Sequence, residues 1–291
     1  MNKLIKVATK SVLAAGALAL GTCAVLAPRR KDDVLKIQWD ELGRYRYAHR
    51  GFHDNEGPAP ENSALAFWFA RQAGYGSELD VHLTADKRLV VIHDSSTLRA
   101  TGVEGTVERM TFDELRELRL FGSDQQIPEF DEVLEIYEQH DGEAAPPLVV
   151  EVKVYEGNWE ELTEKVVAAL DARNVRYCVE SFDPRVLWWL RKWRPGIIRG
   201  QLSEDFFKHG DLVDTTPKLL AATHLLGNSF ARPDFVAYRI EDLDNPSLRL
   251  ATGPLKAPLV VWTVKTPEDL AACDARGAVS IFEGFDPSPT R

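Results

Sequence analysis

From Tyr45 onward, short runs rich in Val, Ile, Leu and Tyr alternate with longer runs of helical spacing, and this alternation limits the possible folds most severely. A parallel strand pair needs a long crossover, and a helical crossover covers the sheet face. Strands are predicted over residues 45–49, 77–81, 89–93, 148–154, 177–182, 198–202, 235–238, 259–264 and 279–283. Helices are predicted over 62–73, 112–118, 130–140, 159–172, 184–193 and 267–276. Pro184 and Pro267 suit a first helical turn, with Asp183 and Thr266 as caps before them. Several strands are apolar throughout, as strands covered on both faces must be. The expected fold is α/β, a (β/α)8 TIM barrel over residues 32–291, with one of the nine strand candidates extra. A doubly wound open sheet would want a Gly-rich turn after its first strand, and the sequence has none there. Residues 83–126 are too long for a simple connection and predict an insertion over the barrel mouth, while 203–233 also fit one crossover poorly. Residues 32–43 look like a connector.

The first 31 residues differ in kind. Lys3, Lys6 and Lys10 precede an uncharged apolar stretch from Ser11 to Pro28, and Arg29, Arg30 and Lys31 close it. The stretch is long for a secretory signal, although Val25 and Ala27 would suit a cleavage site. Its length and basic flanks favour an uncleaved single-pass hydrophobic helix that anchors the chain in the cell membrane. Secretion after signal cleavage is the alternative. The remaining body holds 29 basic and 45 acidic residues, a net charge of −16. So acidic a body excludes nucleic acid as a partner. Three scattered cysteines, Cys23, Cys178 and Cys273, form neither a disulfide framework nor a zinc motif.

Ionisable groups gather at predicted strand ends. Glu78 and Asp80 stand two apart on one strand and share a face, while Leu79 and Val81 face the other way. Glu151 and Lys153 repeat the pattern between Val150, Val152 and Val154. Acids in such apolar strands are costly to bury alone. Salt bridges to Arg or Lys would relieve one of them. Three converging inside a barrel point to a hard divalent cation with oxygen ligands, Mg²⁺ or Ca²⁺. His49 and His93 each end a predicted strand, the face where barrel active sites lie. Two imidazoles beside a cation suggest an acid–base pair, with metal ligation the weaker option. Arg50 and Lys153 would add positive charge, and Arg binds phosphate through paired hydrogen bonds. Trp262 fits core filling or substrate contact. His82, in phase with Asp80, could line the mouth.

These runs, in this order, resemble the glycerophosphodiester phosphodiesterase family. The resemblance rests on Ala48-His49-Arg50-Gly51, Pro60-Glu61-Asn62-Ser63, Glu78-Leu79-Asp80-Val81, the run from Val90 to Asp94, Thr101-Gly102, Glu151-Val152-Lys153 and Trp262-Thr263-Val264. It implies a (β/α)8 barrel and cleavage of a small-molecule or lysolipid phosphodiester to an alcohol and a phosphomonoester. By position it implies His49 and His93 as general acid and base. Glu78, Asp80 and Glu151 would hold the divalent cation. Arg50 and Lys153 would contact phosphate, and Glu61 would support the site or touch the cation. The sequence departs from the family where Lys265 follows the tryptophan run and where the last strand leads into Glu283-Gly284-Phe285-Asp286, both near the substrate pocket. Lysophospholipase D-like cleavage is a second expectation, encouraged by the apolar segment. A silent membrane-tethered binding protein is a third, against which the intact His49 and His93 argue.

Overall fold

The protein is described by a computed structural model covering residues 25–28, 33–140, 144–209 and 216–291. Eight parallel strands close into a barrel: β1 Tyr47–Ala48, β2 Gly76–Leu83, β4 Leu148–Val152, β5 Tyr177–Ser181, β6 Arg199–Ser203, β7 Phe235–Arg239, β8 Leu259–Val264 and β9 Val279–Phe282. Closure is made by β1, which pairs with both β2 and β9. The expected TIM barrel is therefore present.

The extra strand is β3, Leu89–Val91, which runs antiparallel to the upper part of β2. Because β1 pairs with β2 only at Gly76 and Ser77, the edge of β2 above it needs another partner. β3 supplies one, and the Ile92 N–H then donates to the Asp80 carbonyl (3.1 Å). His93 thus follows a strand descending toward the mouth. It does not end a rising barrel strand, contrary to the sequence expectation. Periodicity cannot show strand direction, so this difference was invisible in the sequence.

Alternation along the strands sorts the two cores. Outward-facing Leu79, Val81, Val150, Val152 and Val179 pack under Phe67, Val133, Leu162, Val166 and Leu187 of the surrounding helices. Inward-facing Tyr47, Val149, Cys178, Ile198, Phe235, Val260 and Val279 fill the lower lumen. Each such side chain contributes about 1.5–3 kcal/mol on full burial. The helix Asp33–Leu42 closes the lumen from below, with Trp39 stacked on Phe235 at 4.9 Å between centroids. The Tyr47 hydroxyl donates to the Leu42 carbonyl (2.8 Å). This helix replaces the expected connector, since its role depends on an open barrel end that no local pattern reveals.

At Gly200 a side chain has no room: a Cβ there would lie 2.0 Å from the Phe235 ring, its partner in register. Gly200→Ala is expected to cost about 1–3 kcal/mol through overpacking. A urea midpoint unchanged from that of the unsubstituted protein would contradict this.

The long insertion after β2 has its own small core, including Val90, Ile92, Val107, Leu115, Leu120 and Ile127. The 203–233 crossover contains short helices at Phe206–His209, Thr216–Thr223 and Asn228–Ala231. Asp183 and Thr266 cap their helices by accepting from the Arg185 and Asp269 N–H groups. At the N-terminus, Leu26 is 1% exposed and packs with Leu225, Val236 and Leu248. The described end of the apolar run thus rests on the barrel. The remainder of that expected hydrophobic helix lies outside the described residues. Among the described residues, no helix is long and apolar enough to cross a membrane.

Candidate active site

Above its apolar layers, the lumen becomes acidic on one side. Glu78 and Asp80 point inward from β2, and register sets Glu151 of β4 beside Asp80. The three are 3%, 1% and 5% exposed, and each offers an oxygen within 4.8 Å of the others. Buried this closely, they need opposing charge. Lys153 provides part of it: its Nζ lies 3.0 Å from Asp80 Oδ1 and 2.8 Å from Glu151 Oε2. Arg50 and Asn62 both adopt left-handed backbone, at φ 55° and 57°. That turn directs the Arg50 N–H to Glu78 Oε2 (3.2 Å), and the Asn62 amide donates to Asp80 Oδ2 (2.8 Å). Such backbone persists only where its surroundings hold it.

These contacts divide the acids. Burial opposes charge on Asp80, but Lys153, His93 and Arg50, with the Asn62 hydrogen bond, hold its carboxyl well below the usual range. Burial pushes Glu78 well up, reinforced by Asp80 and Glu151. Burial also raises Glu151 despite Lys153. Burial thus opposes charge on Glu78 and Glu151, while the cationic partners of Asp80 favour charge there.

The two imidazoles have parallel settings. At the end of β1, His49 Nδ1 lies 2.6 Å from Glu283 Oε2. Glu283 Oε1 meets Lys265 Nζ at 2.7 Å. His93 Nδ1 lies 2.6 Å from Asp94 Oδ1, and Asp94 is in turn held by Arg99. Burial opposes charge on Glu283, yet its bonds to His49 and Lys265 bring its carboxyl far down. The His93 hydrogen bond does the same for Asp94, with Arg99 adding to it. Ionised carboxylates only accept, so both histidines place a proton on Nδ1 toward their carboxylates and turn Nε2 away from them. Burial, helped by the Arg50 guanidinium, pushes His49 down to about 4 against the pull of Glu283. His49 Nε2 lies 3.9 Å from Glu78 Oε2, at the edge of the acid cluster.

Glu61 joins this frame without joining the acid cluster. It binds Arg50 at 2.9 Å and Arg99 at 2.7 Å. Burial opposes its charge, but the two arginines lower it to about 2. His82 does not serve as a free mouth residue: its Nδ1 meets Glu108 at 2.6 Å and its Nε2 lies 3.2 Å from the His93 carbonyl. Trp262 is half-buried in edge-to-face contact with Phe182, at 5.9 Å and 90°.

A cavity of about 320 Å³ opens here, polar where His49, Arg50, Glu78, His93, Glu151, Lys153, Glu180, Glu204 and Arg239 line it, and apolar at Phe182, Leu202, Trp262 and Ile281. The sequence expectations placed His49, Arg50, Glu78, Asp80, His93, Glu151, Lys153, Glu61 and Trp262 in one site, and the fold brings them together. They did not assign roles to Asp94, Glu180, Lys265 or Glu283. The signal for Asp94 was its position beside His93. For Glu283 it was an acid at the upper end of the last barrel strand.

Fold and constellation together define a (β/α)8-barrel protein with an acid cluster and two carboxylate-held imidazoles at its C-terminal mouth. The chain belongs to the Glycerophosphoryl diester phosphodiesterase family, whose profile matches residues 49–284. It is 30% identical to the uncharacterized protein YqiK of Bacillus subtilis, over 82% of this chain and 94% of that one. It is 33% identical to a glycerophosphodiester phosphodiesterase of Bacillus altitudinis, over 57% of this chain and 69% of that one. Its fold is similar to that of an Oleispira antarctica phosphodiesterase solved in complex with the product sn-glycerol-3-phosphate. That likeness has a TM-score of 0.65 at 22% identity and covers 83% of this chain and 93% of the other.

Proposed function

We propose that this protein hydrolyses glycerophosphodiesters to an alcohol and glycerol phosphate with the help of a divalent cation. The observation that carries this proposal is the set of three buried carboxylates within 4.8 Å of one another, opening on a cavity that two imidazoles also line. The all-oxygen donor set fits Mg²⁺ or Ca²⁺, and the Lys153 ammonium between Asp80 and Glu151 marks where the cluster demands positive charge. Glu78, Asp80 and Glu151 would hold the ion. When bound, it would neutralise phosphoryl oxygens and so favour attack at phosphorus.

The chain's own groups divide the remaining work. His49 is neutral with a free Nε2, so it accepts the proton of the attacking oxygen, while Glu283 stabilises the imidazolium that results. His93, doubly protonated with its Nδ1–H on Asp94, gives its Nε2 proton to the leaving alkoxide. Arg50 and Lys153 bind phosphate oxygens, and Glu61 keeps Arg50 aimed at the site. Trp262 and Phe182 form the wall against which an alcohol arm packs. The apolar segment within residues 1–31 would tether the chain to a membrane, which comparison of membrane and soluble fractions for the full and shortened chains would test.

A substrate panel tests the activity: glycerophosphocholine and lysophosphatidylcholine offered to the full chain, with products identified. The cavity is near the lower end for small-molecule sites. Preference for glycerophosphocholine is therefore expected. Faster turnover of lysophosphatidylcholine would move the assignment to a lysophospholipase D.

The low proton affinity of His49 sets a pH expectation. An ordinary imidazole loses half its base form near 6.5. Burial disfavours the charged ring, so the base form of His49 persists down to about 4. With cation saturating, kcat/KM is expected to hold from neutral pH to about 5 before falling. An acid limb centred near 6.5 would contradict the assignment of His49 as base.

A further inference from the structure

Glu180 takes no part in the chemistry above, yet it is buried in the wall of the same cavity. It points inward from β5 beside Glu151, is 1% exposed, and lines the cavity. Its Oε2 has no hydrogen-bonding partner among the described residues. Neighbouring acids are engaged: Asp80 and Glu151 meet Lys153, Glu61 meets Arg50, and Glu283 meets His49. Nor does Glu180 belong to the carboxylate group whose oxygens all lie within 4.8 Å of one another. A buried carboxyl without a partner is costly, and a ligand that satisfies it gains what the free protein lacks.

Its place in the barrel says which part of a substrate it meets. Strand order runs β1, β2, β4, β5, so His49 and Glu180 flank the acid cluster on opposite sides. A phosphoryl group at that cluster extends one of its two alcohol arms toward β5. There Glu180 stands beside Phe182 and Leu202, which are apolar, while the other polar groups on that side, Glu204 and Arg239, are paired with each other at 2.8 Å. We infer that Glu180 binds a hydroxyl of a polyol arm and so selects glycerol-type diesters over diesters of bare alkyl or aryl alcohols. This inference rests on the phosphodiesterase assignment of the same site. Apolar walls contact any alcohol arm alike, whereas a polar group built to meet a hydroxyl discriminates against arms that lack one.

The experiment uses the full chain with Mg²⁺ or Ca²⁺ and two substrates, glycerophosphocholine and bis(4-nitrophenyl) phosphate, which has no free alcohol hydroxyl. Glu180→Leu is expected to lower kcat/KM for glycerophosphocholine about 10- to 100-fold, mainly through KM. Its rate on bis(4-nitrophenyl) phosphate should stay within about twofold, and Glu180→Gln should recover most of the glycerophosphocholine activity. The cation concentration for half-activation should be the same in all three proteins. Equal losses on both substrates, no loss on either, or a raised cation requirement in Glu180→Leu would each overturn the assignment. Inactivity of the unsubstituted chain on both diesters would defeat the phosphodiesterase assignment, and this one with it.

Discussion

Replacing His49 by alanine is expected to lower kcat by about 10³-fold while leaving the barrel folded and KM within a few-fold. The imidazole sits at the end of a two-residue strand, and its backbone N–H to the Phe282 carbonyl (2.8 Å) survives the substitution. What is lost is a neutral Nε2 at the cavity and the Glu283 carboxylate's partner. Glu283→Gln should act through the same imidazole. A neutral amide can bond either tautomer and stabilises the imidazolium less, so a smaller fall, about 10- to 100-fold in kcat, is expected. The double variant should be scarcely worse than His49→Ala alone, since residues acting as a unit are not additive. Steady-state kinetics at saturating cation check all three. Near-normal turnover by His49→Ala would remove the proposed base.

Glu78→Gln should separate stability from ion binding. Burial and two neighbouring carboxylates push Glu78 well up. Its protonated form is thereby favoured over that of an ordinary carboxyl, and glutamine is a close neutral substitute for that form. The cation-free variant is expected to be as stable as the unsubstituted protein or more so, because a group with a raised folded pKa weakens the fold once pH forces it to ionise. Affinity for Mg²⁺ or Ca²⁺ should nevertheless fall by about 100-fold or more, since one of three carboxylate ligands loses its charge. Thermal unfolding without cation, paired with calorimetric titration, gives both quantities. Unchanged cation affinity would show that Glu78 is no ligand.

Much of the site was legible because its residues obey strand periodicity. Glu78 and Asp80 shared a face at spacing two, between Leu79 and Val81, and the barrel turned that face inward. Glu151 followed by the same rule on another strand. The direction of β3 was not legible, and with it the route by which His93 reaches the mouth, because an apolar run looks alike in either direction. The partners of the two histidines were hidden for a different reason. His49 and Glu283 stand 234 residues apart and meet only when β1 and β9 pair to close the barrel. Lys265 and the segment after the last strand stood out in the sequence as separate departures from the family pattern, but the 2.7 Å ion pair of Lys265 with Glu283 links them. Glu180 escaped notice because an acid at one strand position looks like any solvated edge acid until its burial is known. The helix Asp33–Leu42 was missed because it packs on a barrel end that exists only in the folded chain.

The most direct test of cation-assisted diester cleavage is the release of glycerol phosphate from glycerophosphocholine by the full chain, followed through chelation with EDTA and add-back of Mg²⁺ or Ca²⁺. Turnover is expected to fall at least about 100-fold on chelation and to return with one of the two ions. A rate indifferent to EDTA, or no product under any ion, would contradict a cation held by Glu78, Asp80 and Glu151 as the basis of catalysis.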